Sequence, residues 1–307
     1  MKTTWVVGSL NVDLVMGVDR FPDPGETLRG TSFQTFLGGK GGNQAMAAAR
    51  LGGRPRMVGR VGNDQFGRRY VEALREAGAS VEGVGVTEGE PTGTALIEVE
   101  SSGQNRIVIV PGANGSMNKE EVLGDLSELG DGDLVLLQLE IPLPTVWAVA
   151  AEAHSRGAVT ILDPAPAEAI PTEALASITW ITPNEHEAEI ITGIDTSTEE
   201  GLQAAAGKLV ESGVTHAVVK AGARGAYLST PGDPSSTLVP GYPVDAVDTT
   251  AAGDSFNGGL AWALAQGHPP EEAVAIANAV GALAVTGMGA QTAMPSRQEL
   301  SAFFEKL

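Results

Sequence analysis

The stretch that organises the chain lies late in the sequence and reads Val247-Asp248-Thr249-Thr250-Ala251-Ala252-Gly253-Asp254-Ser255-Phe256-Asn257-Gly258-Gly259. It begins with polar residues, passes through small ones, and then opens an apolar pattern at helical spacing with Phe256, Leu260 and Leu264. Small residues allow a tight turn and a close approach of the backbone to a ligand. The first N–H groups of a helix have no intrahelical partner and carry partial positive charge. The stretch therefore predicts a helix that begins in a phosphate-binding turn.

One acid, Asp254, lies in the middle of this turn. Because a carboxylate repels a phosphate ligand, its presence indicates a chemical role, such as a general base that takes the proton from a hydroxyl attacking the phosphate. Helix capping is the alternative, since Asp is favoured in the first turn of a helix on dipole and capping grounds alone. These residues by themselves leave both interpretations open.

Composition bounds the class of protein. The chain has 307 residues, of which 42% are hydrophobic and 19% charged, which is ordinary for a globular protein with one large α/β domain or two small ones. A net charge of −19 disfavours binding to nucleic acid or to anionic membranes. With no cysteine, disulfides and thiolate metal sites are excluded. The N-terminal apolar run is too short for a signal peptide, and no run approaches the ~18 apolar residues of a membrane span, so we expect a cytoplasmic protein.

Apolar runs and helical patterns alternate along most of the chain. From about residue 118 onward, strands are predicted at 134–139, 159–162, 180–181 and 217–219, and helices at 143–156, 185–192, 198–211, 253–267 and 271–286. This alternation predicts a parallel sheet covered by helices on both faces. Residues 93–110 differ, since they are typical of a strand, a turn and a second strand. Together with residues 14–36 they are expected to form a small separate sheet.

Polar side chains follow several of the predicted strands, where ligands gather in such folds. Asn11 and Asp13 follow the first strand, Lys40 and Asn43 lie in a glycine cluster before a helix, and Glu140 follows another strand. A set of hydrogen-bonding groups of this kind suits a ligand with several hydroxyls, such as a sugar. Ordinary loop polarity is the alternative.

A second polar set follows later strands. Lys220, Gly222 and Gly225 come after the strand at 217–219. Asn184 followed by Glu187 has the spacing of a capping-box variant, which is the alternative to a phosphate or magnesium contact.

Signatures of rival enzyme classes are incomplete. Lys40 is followed by Gly41, so no phosphate-binding P-loop motif is present, and the run Gly287-Met288-Gly289 is not completed by a third glycine at Thr292. The histidines show no metal-ligand spacing.

In the order of its motifs, and over nearly its whole length, the chain resembles the ribokinase family of sugar kinases. The matching segments are Gly8-Ser9-Leu10-Asn11-Val12-Asp13, Gly38-Gly39-Lys40-Gly41-Gly42-Asn43-Gln44-Ala45, Leu137-Gln138-Leu139-Glu140, Asn184 with Glu187, and Asp248-Thr249-Thr250-Ala251-Ala252-Gly253-Asp254. Each glycine motif alone is weak, but together in this order they are specific.

The resemblance implies an α/β fold, namely a ribokinase-like three-layer sandwich with a mostly parallel central sheet, helices on both faces and a small β-sheet lid. It implies a single catalytic domain over residues 1–307, lid strands drawn from about 14–36 and 93–110, and a homodimer formed through the lid. The implied reaction transfers the γ-phosphoryl group of ATP to the 5-hydroxyl of D-ribose, with Mg²⁺ on the phosphates and K⁺ as an activating ion. Another sugar such as deoxyribose or fructose, a nucleoside, or a non-catalytic sugar-binding protein remain alternatives.

The resemblance also implies roles for individual residues. Sugar contacts correspond to Asn11, Asp13, Gly39, Lys40, Asn43 and Glu140. Asp254 corresponds to the catalytic base, which also contacts the sugar, and the backbone of Ala251, Ala252 and Gly253 to an anion hole. At its helix start, Asp254 is expected to stay ionised as a weak base.

Nucleotide-side positions are Asn184, Glu187, Lys220, Gly222, Gly225 and Asn278. Potassium-site positions, mostly acting through backbone carbonyls, are Asp248, Thr250, Ala284, Gly287 and Gly289. Ala293 departs from a hydroxyl residue found in some relatives, so water is expected to replace one ligand of that ion.

Overall fold

The computed structural model describes residues 2–232 and 236–307. The strands in chain order are β1 (Thr4–Val7), β2 (Asn11–Val18), β3 (Ser32–Gly38), β4 (Arg56–Gly62), β5 (Ser80–Thr87), β6 (Gly93–Glu100), β7 (Asn105–Val110), β8 (Leu134–Leu137), β9 (Val159–Leu162), β10 (Trp180–Ile181), β11 (His216–Lys220), β12 (Gly225–Ser229) and β13 (Thr237–Pro240). The helices are α1 (Lys40–Arg50), α2 (Gln65–Glu76), α3 (Lys119–Asp125), α4 (Leu143–Ser155), α5 (Thr172–Leu175), α6 (Glu185–Thr192), α7 (Glu199–Glu211), α8 (Ala252–Gln266), α9 (Pro270–Ala284) and α10 (Arg297–Phe304).

The large sheet has nine strands in the order β13-β12-β11-β10-β9-β8-β1-β4-β5. In this order, all neighbouring strands from β11 to the β5 end of the sheet pair in parallel. At the other end, β12 and β13 add an antiparallel edge. Val7 at the end of β1 is in register with both Val58 of β4 and Leu137 of β8. The segments that follow β1 and β8 therefore start side by side at the carboxyl ends of these parallel strands.

Both faces of this sheet are buried, as its nearly continuous apolar strands predict. Val6 and Leu136 point into a core shared with α1, α2, α8 and α9. Their neighbours Val7 and Leu137 point to the opposite core, which is shared with α3 and α4. The predicted three-layer arrangement is thus confirmed. No helix in the described part of the chain is long and apolar enough to cross a membrane.

A second sheet of four strands in the order β3-β2-β6-β7 forms the lid. Strand β2 of this sheet begins at Asn11, so the lid itself carries Asn11 and Asp13. Only residues 8–10 separate β2 from β1 in the chain. Both faces of β7 are open, since its neighbours Ile107 and Val108, which point to opposite faces, are 53% and 61% exposed.

Helices α1 and α8 cross at very close range. A Cβ added at Gly258 would lie 2.5 Å from the Cβ of Ala47 and 2.9 Å from the carbonyl oxygen of Gln44, so only glycine fits at this crossing. The close approach brings the start of α1 against the start of α8.

Candidate active site

Asp254 is the third residue of α8 and is 6% exposed. Its Oδ2 accepts a hydrogen bond of 2.9 Å from Nδ2 of Asn43, and its Oδ1 accepts one of 3.2 Å from Nε2 of Gln44. Both donors belong to α1, whereas α8 has no side-chain hydrogen bond at its N-cap, Ala251. The hydrogen bonds of this carboxylate therefore go to α1 and do not cap its own helix, although its place in the first turn of α8 still suits the helix dipole.

Burial raises the pKa of Asp254 to about 6, with the Lys40 ammonium opposing this rise and the Asp163 carboxylate adding to it. The helix start was expected to keep this acid a weak base. Desolvation outweighs that stabilisation, because the site removes the carboxylate from water. A base with a pKa nearer neutrality is the stronger proton acceptor and is still mostly ionised at pH 7.

The turn before α8 has an unusual backbone. Ala251 adopts φ 58° and ψ 17°, a left-handed conformation that is uncommon for a residue with a Cβ. The N–H of Ala252 donates to the carbonyl of Thr249 at 3.2 Å and closes the turn. Gly253, which follows, belongs to the first-turn N–H groups that have no acceptor within their own helix.

Glu140 joins three segments at the sheet edge. Its Oε2 accepts hydrogen bonds from Oγ of Ser9 at 2.5 Å and from the backbone N–H of Lys40 at 2.9 Å. Asp13 lies nearby, and its pKa is raised to about 6 by burial and by the charges of Glu140 and Asp254.

Lys40 is the cation among these acids. Burial acts to lower the pKa of its ammonium, but the Asp254, Asp163 and Glu140 carboxylates together raise it above its ordinary value. The lysine is therefore held in its charged form.

Amide side chains complete the set of predicted sugar contacts. Oδ1 of Asn11 accepts a hydrogen bond of 2.8 Å from Asn114, which leaves the Asn11 NH₂ group for a ligand. Oδ1 of Asn43 accepts one of 3.0 Å from Gln291, so its NH₂ group faces Asp254. Gly39 adopts φ +80°, and a Cβ at this position would lie 2.6 Å from the backbone nitrogen of Asn11. The structure thus brings the predicted sugar residues around Asp254, and it adds Asn114 and Gln291, which sequence reasoning missed.

A cavity of about 910 Å³ opens on the other side of Asp254. All the nucleotide-side positions line it, together with the turn before α8: Asn184, Glu187, Lys220, Gly222, Gly225, Asn278, Ala251, Ala252 and Gly253. Tyr242, Pro243 and Val244 supply an apolar wall that the motifs did not reveal. A cavity with an apolar wall and a polar end suits a nucleotide.

Some of these lining residues also have structural tasks. Asn184 and Glu187 form the capping box of α6, with both hydrogen bonds at 2.8 Å. Nδ2 of Asn278 donates to the carbonyl oxygens of Val239 and Pro240 at 3.0 and 3.2 Å, which ties α9 to β13. Their backbone-directed bonds therefore shape the cavity wall.

Lys220 brings a positive charge to the start of α8. Its Nζ lies 2.9 Å from Oδ1 of Asp163 and only 3.3 Å from a Cβ placed on Gly253. Asp163 was not predicted, although it directly follows β9 and the strand-end rule applies to it as to Glu140.

The predicted potassium positions fall on two loops that are bonded to each other. Oδ1 of Asp248 accepts from the N–H and Oγ1 of Thr250 at 2.9 and 2.6 Å, and Oδ2 accepts from the N–H of Gly289 at 2.9 Å. Ala284 ends α9, and a Cβ on Gly287 would contact Ala293 at 3.0 Å. Asp248, Thr250 and Gly289 are thus brought together, while among the described residues no hydrogen bond joins the Asp248 side chain to Ala284 or Gly287.

Known proteins resemble this chain in both sequence and structure. The model of the pfkB family of carbohydrate kinases matches residues 1–297. A ribokinase of Haemophilus influenzae is 40% identical over 304 residues, which cover 99% of each chain, and a deoxyribokinase of Salmonella typhi is 34% identical over 299 residues, which cover 97% of each. The structure of Arabidopsis thaliana ribokinase complexed with ribose and ATP, 36% identical, superposes with a TM-score of 0.92 and covers 99% of each chain. The chain therefore belongs to the pfkB family of carbohydrate kinases.

Proposed function

We propose that the protein is an ATP-dependent ribokinase, which transfers the γ-phosphoryl group of ATP to the 5-hydroxyl of D-ribose and yields D-ribose 5-phosphate. The observation that carries this proposal is the position of Asp254. This acid is buried where a set of hydroxyl-binding side chains meets a nucleotide-sized cavity. Relatives named ribokinases that match almost the whole chain support the same conclusion.

In the proposed reaction the O–H bond of the acceptor hydroxyl breaks and its proton passes to the Asp254 carboxylate. The hydroxyl oxygen forms a bond to the γ-phosphorus while the bond from that phosphorus to the β–γ bridging oxygen breaks, and ADP leaves. Because such transition states are loose, proton transfer is late and a base with a pKa of about 6 suffices.

Charge on the transferred phosphoryl group is stabilised at the start of α8. We assign this task to the N–H groups of Ala251 and Gly253, to that of Ala252 once it is released from Thr249, and to the ammonium of Lys220. A donor that is already free to point at the phosphoryl group, as proposed for Gly253, contributes roughly 10²–10³ in rate when judged by its removal.

The sugar is proposed to lie against the lid. Asn11 offers NH₂ donors, Asp13 and Glu140 offer acceptors for hydroxyls, and Lys40 and Asn43 lie between them and Asp254. Several charged and amide groups at fixed positions discriminate among hydroxyl patterns, because a wrong sugar leaves buried polar groups unpaired.

Two cations are proposed as cofactors. Mg²⁺ would enter with the phosphates of ATP, where Glu187 is the predicted carboxylate that lines the cavity, and it would neutralise phosphate charge. K⁺ would be held by Asp248 and by backbone carbonyls of the loops around Thr250 and 284–289. These loops offer oxygen donors, which suit such an ion, and Asp248 already links them. The bound ion would brace the turn that precedes Asp254.

We further propose that the whole chain works as one catalytic domain in the cytoplasm and dimerises through the lid. On one face of the lid Ile107 and Ile109 of β7 are 53% and 51% exposed, and on the opposite face Phe33 and Val108 are 62% and 61% exposed. Contiguous apolar surface of this kind marks an interaction site. Sedimentation of the protein and of an Ile107→Ser/Ile109→Ser variant tests it: the wild type is expected to be a dimer and the variant a monomer.

The function is tested by ADP release across pentoses, hexoses and nucleosides, with and without potassium. D-ribose is expected to give the highest kcat/KM. Deoxyribose is the second candidate, because a deoxyribokinase is among the full-length relatives. A clear preference for a nucleoside or a hexose would contradict the proposal, and sugar binding without turnover would indicate a non-catalytic sugar-binding protein.

A further inference from the structure

Two glutamines in the site motifs have no part in the function proposed above. Gln44 is the residue after Asn43 in α1, and Gln138 directly follows β8. They are 1% and 0% exposed. Burying a neutral amide is unfavourable unless its hydrogen bonds are made, so their bonds indicate what the two side chains do.

Gln44 spans two carboxylates. Its Nε2 donates to Oδ1 of Asp254 at 3.2 Å and to Oδ2 of Asp163 at 3.0 Å. An amide nitrogen has two hydrogens, so each carboxylate receives one and none is left over. Gln44 is thus the direct link between the proposed base and the acid that holds Lys220.

Gln138 fixes which end of the Gln44 amide faces these acids. Its Nε2 donates to Oε1 of Gln44 at 2.8 Å. Ionised carboxylates only accept hydrogen bonds, so the NH₂ end of Gln44 must face them and its oxygen must face Gln138. The reverse orientation would set the Gln44 oxygen against two negative charges.

The surrounding backbone leaves Gln138 little freedom. A Cβ at Gly8 would overlap its Oε1, and that oxygen accepts no hydrogen bond from any residue that the structure describes. A buried acceptor without a protein donor is destabilising, because it has lost its hydrogen bonds to water. The arrangement therefore favours the orientation of Gln44 over the full satisfaction of Gln138.

We propose that Gln44, held in this orientation by Gln138, is a positioning residue that fixes the carboxylate of Asp254 and keeps it ionised until it accepts the proton of the acceptor hydroxyl. The proposal rests on the function proposed above, in which Asp254 is the general base. Hydrogen bonds donated to the charged form favour that form. They also hold one oxygen of the carboxylate, so that its orientation toward the acceptor hydroxyl is set before ATP binds.

Other charged groups face Asp254 as well. Lys40 of α1 favours its charged form, while Asp163 after β9 disfavours it. Asp13 of β2 and the phenol of Tyr70 in α2 also interact with its charge. All of them remain in the variants below, so a change in the pH profile reports on the glutamines.

The test measures kcat, KM and the pH dependence of kcat/KM for Gln44→Met and Gln138→Met, with exposed Gln298→Met as the matched control. For Gln44→Met we expect kcat to fall roughly tenfold or more, with KM values within about threefold. Loss of the hydrogen bond that Gln44 donates to Asp254 raises the pKa of the base, so the acid limb is expected to move to higher pH by about 1. Gln138→Met is expected to cause a smaller change in the same direction, because it touches neither carboxylate.

The outcomes separate the possible failures. A fall in kcat with an unmoved acid limb, in proportion to a lost folded fraction, would mean a purely structural role and overturn the inference. An unchanged kcat in both variants would overturn it too. If Gln44→Met does not fold, Gln138→Met carries the test. If instead Asp254→Asn is active, the proposed base is wrong and the inference fails with it, whatever the glutamine variants show.

Discussion

The ammonium of Lys220 at the end of β11 lies 2.9 Å from a carboxylate oxygen of Asp163, which follows β9. Asp163 is 2% exposed, so its charge has to be balanced within the protein. The pair holds the ammonium beside Gly253, at the positive end of α8. A single carboxylate thus determines where this positive charge would meet the phosphates in the proposed reaction.

Variants of this ion pair should distinguish its effect on the free energy of unfolding from its effect on activity. Lys220→Met leaves Asp163 buried without its cation, and we expect a loss of about 3 kcal/mol in the free energy of unfolding. The double variant Asp163→Asn/Lys220→Met should regain most of that stability but not the activity. Urea unfolding and ADP release measure the two effects. If activity returned together with stability in the double variant, Lys220 would have no role at the phosphates.

Asp254 is expected to be indispensable for turnover. Asp254→Asn keeps the size of the side chain but cannot take a proton, so kcat should fall by roughly 10³ or more, while calorimetric affinities for ribose and ATP change only a few-fold. In the wild type, a base works in its ionised form, and its activity is lost as the pH falls through its pKa. The kcat/KM profile should therefore show an acid limb near pH 6. Near-normal turnover of the variant would contradict the assignment.

Glu140 should act on the sugar more than on ATP. Its Oε2 is already held by Ser9 and by the N–H of Lys40, so the carboxylate is preorganised for a hydroxyl donor. Glu140→Gln is expected to raise the KM for ribose about tenfold or more, the loss typical of a hydrogen bond to a charged group, and to leave the KM for ATP within about twofold. Exposed Glu305→Gln serves as the control. A change confined to the KM for ATP would contradict the placement of Glu140 at the sugar.

Sequence patterns predicted the layers of this fold well where periodicity was strong. The helix predicted at 143–156 is α4 (Leu143–Ser155), and the strand predicted at 159–162 is β9 (Val159–Leu162). The antiparallel edge formed by β12 and β13 was missed, and its outer strand β13 is mostly exposed. Such a strand is defined by its partner, which local sequence does not contain.

The candidate site was predictable as far as motifs extend. Side chains within motifs, such as Asn43, were predicted by the resemblance, and the structure places Asn43 against Asp254. Partners distant in sequence, such as Asn114 at 103 residues from Asn11, were not predictable, because only the fold brings them together. The raised pKa of Asp254 was missed for a related reason: the position of this residue in its helix can be read from the local sequence, but its burial cannot.

Asp13 is expected to lower the stability of the folded protein while it contributes to binding of the sugar. Its pKa is raised from 3.8 to about 6, so between these values the folded state binds more protons than the unfolded state, and this group makes the protein less stable as the pH rises from about 4 to about 6. Asp13→Asn removes that penalty. We expect the variant to gain up to roughly 2 kcal/mol over the wild type at pH 7.5 and less at pH 5.0, because the rise in the pKa sets an upper limit that partial exposure reduces. Urea unfolding at both pH values measures this, and the KM for ribose should rise at the same time. A stability difference that is equal at both pH values would mean that packing, and not the charge of Asp13, is responsible.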